Sequence, residues 1–293
     1  NIKVQIMQKE MEYYFDQIFE NFYKTSRDSN FYISLDQKLK KDIADSNFAP
    51  NMSGTENFGP FGALNFKYTE MGAINSLDLF GLDELLLFAF YWANKNNYKN
   101  VSDIGANIGL HSILMSKCNW NVNAYEPDPN TIKCLEENVK SNNLANIKVN
   151  QMAVSGYSGT AEFTRVLGNT TGSHLSGAKD NPYGDLEKFS VKVKDIKEIM
   201  PYTDFIKLDV EGEEANVVTS TNSENWDNCD MMLEVGSALN AEAIYNHLLS
   251  LNVNMFSQKN NWDIADSLSD IPISYKQGSL FVSKKDSLPM HNI

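Results

Sequence analysis

The residues best placed to do chemistry are four carboxylates that each follow or close a short apolar run: Asp103, Glu126, Asp209 and Glu211. Asp103 opens Asp-Ile-Gly-Ala-Asn-Ile-Gly109, where Gly105 and Gly109 lack a Cβ, so the backbone can bend sharply and a ligand can lie against it. The spacing is neither the three-glycine dinucleotide fingerprint nor a phosphate loop with Gly-Lys-Ser/Thr at the start of its helix. An acid ahead of the first glycine repels a pyrophosphate and suits a ligand with a cationic ammonium group and no phosphate. Glu126, in Tyr125-Glu-Pro-Asp-Pro129, follows about 20 residues later, where an open α/β site sets an acid against both ribose hydroxyls. Phe205-Ile-Lys-Leu-Asp-Val-Glu-Gly212 reads as a strand with Asp209 and Glu211 at its tip. Residues two apart on a strand share a side, so the two carboxylates are expected to converge, with Gly212 turning the chain away. Lys207 falls on the same side as Asp209 and reads as its ion-pair partner, a positioner that holds the acid's rotamer. His174, in Thr170-Thr-Gly-Ser-His-Leu175, adds an imidazole that titrates in the useful range. Two carboxylates suit Mg²⁺ with water and substrate oxygens, but no third ligand stands at a recognisable spacing, so the expectation is metal-independent chemistry.

Elements must hold these residues in place, and the apolar pattern supplies them. From Asn100 the sequence alternates: strand 100–104, helix 110–118, strand 122–125, helix 131–141 capped by Asn130, strand 147–153. That rhythm predicts a parallel, doubly wound α/β sheet. It breaks after Ala153 into a turn, a strand over 160–165, a polar loop over 167–184 and an edge strand over 191–193. A short helix over 195–200 ends at Pro201. It resumes with strand 205–210, helix 214–220, strand 231–235 and helix 241–251. Strands 253–258 and 279–283 then form an antiparallel edge around a long excursion. Upstream, Asp83 to Lys95 is a helix too apolar for the surface, so it lies against the sheet. Met11, Tyr14, Phe15, Ile18, Phe19 and Phe22 mark one face of an N-terminal helix, and a weaker helix covers 36–48. Residues 49–62 read as a loop, and 66–68 with 73–79 as a short hairpin. Residues 1–76 are thus a helical and hairpin extension, a cap over the domain or a homo-oligomer contact, and residues 77–293 form the main domain.

Bulk properties narrow the partners. A net charge of -13 in 293 residues argues against a track for nucleic-acid phosphates. Cys118, Cys134 and Cys229 are scattered and show no zinc or disulfide spacing, which fits reduced thiols in the cytoplasm. The longest apolar run, Leu85 to Ala93, falls short of the ~20 residues that span a bilayer. The chain begins at Asn1 rather than Met, so that terminus reads as trimmed and carries no argument.

S-adenosylmethionine is a ligand of the kind the glycine turn suits. Asp103-Ile-Gly-Ala-Asn-Ile-Gly109 with His111-Ser112, Tyr125-Glu-Pro-Asp-Pro129, Gly159-x-Ala-Glu-Phe163 and Ile206-Lys-Leu-Asp-Val-Glu-Gly212 together resemble the FkbM-type methyltransferases. The likeness covers roughly residues 77–282 and leaves the first 75 or so unexplained. It implies a class I, Rossmann-like methyltransferase fold of seven strands with the last antiparallel. It also implies S-adenosylmethionine as methyl donor to a hydroxyl of a sugar, glycan or polyketide-like small molecule. On this reading Asp103 receives the methionine ammonium, while Asn107 and the amides at the start of the helix steady the carboxylate. Glu126 binds the ribose, and adenine lies near Met152 and Ala153. Gly105, Ala106, Gly109, Ser112 and Pro127 complete the cofactor set. An alcohol is a poor nucleophile, so a base within hydrogen-bond reach should help, and Asp209, Glu211 and His174 are the three candidates. A catalytically inactive S-adenosylmethionine-binding module and a nicotinamide oxidoreductase are the competing readings; the latter lacks its third glycine.

Overall fold

The computed structural model describes residues 2–45, 55–67, 69–71, 75–167, 172–178 and 185–290. In chain order its helices and strands are α1 (Ile2–Asn21), α2 (Asn30–Asp45), β1 (Thr55–Asn57), β2 (Ala63–Asn65), α3 (Leu82–Ala93), β3 (Asn100–Ile104), α4 (Leu110–Lys117), β4 (Asn121–Tyr125), α5 (Pro129–Ser141) and β5 (Ile147–Asn150). There follow β6 (Ala153–Ser155), β7 (Gly159–Val166), β8 (His174–Leu175), β9 (Leu186–Asp195), β10 (Phe205–Leu208), α6 (Glu214–Thr219), β11 (Asp230–Glu234), α7 (Ala238–Ser250), β12 (Asn254–Ser257), β13 (Asp263–Ile264) and β14 (Ser279–Ser283).

Among the described residues the main sheet runs β13-β12-β14-β11-β10-β3-β4-β5. The strands from β5 to β11 are mutually parallel, because each βα unit must cross over before its next strand can pair. β14 inserts antiparallel between β11 and β12, so the final pair is antiparallel as expected. The last strand is internal rather than at the edge, and the two-residue β13 adds an eighth strand outside β12. Seven of these strands follow the expected Rossmann-like class I order.

The strand predicted over 147–153 is cut in two. β5 stays in the main sheet, while β6 pairs in parallel with β9 in a second sheet ordered β6-β9-β7-β8. β9 extends over ten residues rather than the three predicted, because all eight residues of β7 pair with it and β6 pairs along its end. The cap of α5 is Asp128, whose carboxylate accepts the Asn130 and Thr131 N–H groups, and not Asn130, because Pro129 already occupies the first helical position. In place of the predicted hairpin, the described residues show one Glu70–Asn75 bridge and a 3-10 turn over Ser76–Phe80; Tyr68 and residues 72–74 lie outside them. Part of the predicted loop forms β1, which pairs with β2 just beyond the loop's end, and residues 46–54 are again outside.

Strand alternation sorts the core into two faces. Ile104, Ile206, Leu208, Met231 and Leu233 pack with Val217, Val218, Ile244 and Leu248 of α6 and α7. On the other face Val101, Phe205, Met232 and Phe281 pack with Phe88, Phe90 and Tyr91 of α3. The same cluster takes in Tyr14, Phe15, Ile18 and Phe22 from the N-terminal segment and Tyr32, Leu35 and Leu39 from α2. α3 is therefore buried between the sheet and the extension, which explains its breadth of apolar residues. Each such side chain contributes about 1.5–3 kcal/mol on burial.

Candidate active site

The carboxyl ends of β3, β4, β10 and β11 assemble the charged residues. After β3 the chain bends at Gly105, whose φ of 77° favours glycine, and the Gly105 and Ala106 N–H groups both donate to the Tyr125 carbonyl. A Cβ on Gly105 would stand 1.7 Å from the Asp209 carbonyl oxygen, and one on Gly109 would stand 2.9 Å from Leu135. The side on which a Cβ would stand is thus filled by protein at both glycines; what the turn offers a ligand is its backbone.

Asp103 is fully buried. Its Oδ2 accepts the Ser112 hydroxyl at 2.6 Å, while Oδ1 has no hydrogen-bond partner. The nearby cation is Lys207, whose Nζ lies 3.5 Å from that oxygen and donates instead to the Gly105 carbonyl at 3.1 Å. An orphaned, buried carboxylate oxygen suits a cationic donor.

At the tip of β4, Glu126 accepts the Asn107 N–H on Oε2 at 3.0 Å and the Asp128 N–H on Oε1 at 2.9 Å. Asn107 reaches it through a left-handed backbone, φ 48°. Burial pushes the Glu126 carboxyl up to about 7, against the pull of these two N–H groups, with the Asp128 charge adding to the rise. Each oxygen keeps a lone pair for a further donor, as a ribose diol requires. Pro127 links it to the α5 cap. Met152 turns the chain out of the main sheet, and Ala153 is buried at the start of β6.

Asp209 and Glu211 do not share a strand. β10 ends at Leu208, the Asp209 N–H makes the last ladder bond to the Ile104 carbonyl, and Glu211 sits in a left-handed turn at φ 51°. The convergence expected from strand alternation therefore fails. The turn is held by Glu214, whose carboxylate accepts the Val210 and Gly212 N–H groups. Lys207 does face Asp209, at 3.6 Å. Burial opposes its charge, but Asp103, Asp209, Glu84 and Glu234 outweigh that and raise its pKa.

Two of these carboxylates escaped sequence reading. Glu234 follows Leu233, the register partner of Leu208, and so stands beside Asp209; burial and the Asp209 and Glu84 charges push its carboxyl well up. Glu84, in the first turn of α3, meets His111 Nε2 at 2.8 Å, and His111 Nδ1 meets the Tyr91 hydroxyl at 2.8 Å. Burial works against the Glu84 charge, and His111 overrides it to lower the pKa. The only signal available was position: an acid ending an apolar strand, and one opening an apolar helix.

His174 is buried on β8, opposite Thr164, with Nδ1 against the Gly172 carbonyl at 2.8 Å. A few residues on, the Ala178 carbonyl leaves no room for a Cβ at Gly212, which brings that segment against the Asp209–Gly212 turn. Trp262 is core: it stacks on Phe22 and donates to the Thr25 hydroxyl. Among the described residues no group of three or more His, Cys, Asp or Glu side chains could hold a metal ion.

A sheet ordered β5-β4-β3-β10-β11-β14-β12 with β14 antiparallel, an acid-glycine turn after β3 and an acid at the tip of β4 define a class I S-adenosylmethionine-dependent methyltransferase. The chain belongs to the FkbM methyltransferase family: residues 103–259, more than half of it, match the domain described as Methyltransferase FkbM. The orphaned Asp103 oxygen and the doubly held Glu126 fit the ammonium and ribose of S-adenosylmethionine, the family's cofactor. Solved structures similar to it include a METTL16 methyltransferase domain, with TM-score 0.42, 13% identity, and 76% of this chain and 74% of that one covered. A ribosomal protein L11 methylase from Lactobacillus delbrueckii subsp. bulgaricus gives TM-score 0.36, 12% identity and coverage of 67% and 77%. The Podospora anserina methyltransferase PaMTH1 bound to SAH gives TM-score 0.37, 8% identity and coverage of 69% and 79%. No curated protein matches the sequence.

Proposed function

We propose that the protein methylates a hydroxyl oxygen of a sugar, glycan or polyketide-like small molecule. S-adenosylmethionine supplies an electrophilic methyl group when bound. Asp103 and Ser112 hold its ammonium, Glu126 its ribose, and Ala153 with Met152 the adenine side. The carrying observation is Asp209: a carboxylate at the ligand edge of the sheet, 38% exposed, with Lys207 3.6 Å away. Asp209 takes the acceptor's proton as the oxygen attacks, and Lys207 fixes its carboxylate. Glu211, in the same turn, orients the acceptor, and His174 sits on β8 four residues before the Ala178 carbonyl that abuts Gly212. The chain's net charge of -13 favours a neutral or cationic acceptor over a nucleic acid.

The extension bears on the acceptor side. Arg27 pairs with Asp83 at 3.3 Å, beside Glu84, which supports reading residues 1–76 as a cap. Free Cys118, Cys134 and Cys229 support a reducing, cytoplasmic setting. No helix of the described residues is long and apolar enough to cross a membrane.

The test is incubation of the full chain with methyl-labelled donor and a panel of polyols, glycans, amines and nucleic acids, read by mass spectrometry. Label on a hydroxyl oxygen of a small molecule or glycan is the expected product. Label on nitrogen or nucleic acid refutes O-methylation, and tight donor binding without turnover on any acceptor points to the inactive binding module.

A further inference from the structure

Among the described residues no hydrogen-bonded ladder joins the second sheet to the main one, yet a buried ion pair does. Arg165 on β7 donates from Nε to Asp128 Oδ2 at 2.6 Å and from Nη2 to Asp128 Oδ1 at 2.7 Å. The two side chains are only 10% and 3% exposed. Glu187 of β9 accepts from Nη1 at 2.5 Å, and the Phe189 ring lies 4.7 Å from the guanidinium. Asp128 caps α5, and its own N–H donates to Glu126.

We propose that Arg165 is a positioning residue for the cofactor: its two-pronged grip on Asp128 fixes and charge-balances the 126–128 segment that presents Glu126 to the ribose. Paired donors of this kind fix an acid's orientation as well as its charge. The groups facing Glu126 are the Asn107 N–H from the turn after β3, Asp128 from the start of α5 and Lys207 from β10. Asp128 faces Arg165 and the Asn130 and Thr131 N–H groups. Without Arg165 a buried negative charge stands unbalanced two residues from Glu126, whose carboxyl burial already pushes up to about 7. Glu126 then keeps its proton at neutral pH and loses half of its accepting capacity toward a diol.

The inference rests on Glu126 being the ribose acid. The experiment is calorimetric titration of the full chain with S-adenosylhomocysteine at pH 7 and pH 9. Arg165→Gln is expected to raise Kd about fivefold at pH 7, the effect of a one-unit rise at a Glu126 that is half ionised there, and to leave it almost unchanged at pH 9. Adding Asp128→Asn should bring Kd back toward wild type. A Kd within about twofold of wild type at pH 7, or an equal loss at both pH values without recovery in the double variant, overturns the proposal. Arg165→Lys keeps the charge without the fork and serves as the readout if Arg165→Gln does not fold. Glu126→Gln in the same titration separates the two failures: unchanged affinity removes the ribose assignment, whereas loss there without loss in Arg165→Gln removes only the clamp.

Discussion

Replacing Lys207 with Met strips one buried cation from a group of four carboxylates. Lys207 Nζ lies 3.5 Å from Asp103 Oδ1, and at an effective dielectric of about 20 two unit charges at that distance attract by ~4.7 kcal/mol. Desolvation offsets part of this in the native pair, but a variant that removes one partner keeps the cost of the other, and such losses run to about 3–5 kcal/mol. Asp209 is 38% exposed, so water screens its share to about 0–1 kcal/mol. The pH dependence carries the sign. In the wild type the Lys207 pKa is raised, so its contribution is full below the ordinary lysine value and fades only as pH rises beyond it. In Lys207→Met the buried Glu234, already pushed well up by burial and by the Asp209 and Glu84 charges, loses its cation and rises further above its unfolded value. A raised carboxylate destabilises once pH exceeds its unfolded value, so the deficit of the variant should be largest near pH 8 and shrink toward pH 5. Urea unfolding followed by fluorescence of the buried Trp120, Trp226 and Trp262 measures it in both proteins at each pH. A deficit below ~1 kcal/mol, or one equally large at pH 5 and pH 8, would refute the claim that Lys207 balances these acids.

Three further outcomes follow from the same geometry. Gly105→Ala sets a Cβ 1.7 Å from a backbone oxygen at a φ of 77°, so it should lose more than about 3 kcal/mol; a Tm within a few degrees of wild type argues against the described turn. If Glu126 is the ribose acid proposed above, it accepts from the diol best when ionised, so affinity for S-adenosylhomocysteine should be flat above about pH 8 and fall as pH drops through about 7, a trend Glu126→Gln abolishes in calorimetry. Asp209→Asn should cut turnover by about a hundredfold or more while cofactor Kd moves less than about threefold; equal losses make Asp209 structural rather than a base.

The parts legible in the sequence are those fixed by neighbours in the chain. The glycine turn announces itself because Gly105 and Gly109 both need φ angles that other residues avoid, and Glu126 because a strand and a helix set its distance from that turn. What failed depended on contacts from afar. Alternation carried past Leu208 placed Glu211 beside Asp209, but the ladder to β3 closes with the Asp209 N–H on the Ile104 carbonyl, and Glu211 leaves the extended region at φ 51°. The strand predicted to run through Ala153 divides because β6 finds its partner, β9, some 40 residues later. Glu84, Glu234 and Arg165 look ordinary in sequence; only the crossovers that bring α3, β11 and β7 to the carboxyl edge show what they face.

That edge also shows how the N-terminal helices reach the proposed site through α3. On one face of the sheet each central strand changes from apolar to charged toward its carboxyl end: Val101 to Asp103, Phe205 to Lys207, Met232 to Glu234. α3 covers both zones, with Phe88, Phe90 and Tyr91 on the apolar part and Glu84 on the charged part. Its first turn, carrying Asp83 and Glu84, is favoured by the helix dipole but crowds more negative charge onto an acidic edge. Packing on the sheet and the His111–Glu84 pair hold it from within, and from outside Phe15, Ile18 and Phe22 share its core while Arg27 and Gln258 bind Asp83. The extension thus sets how close Glu84 stands to Lys207, and through Lys207 how Asp103 and Asp209 are oriented.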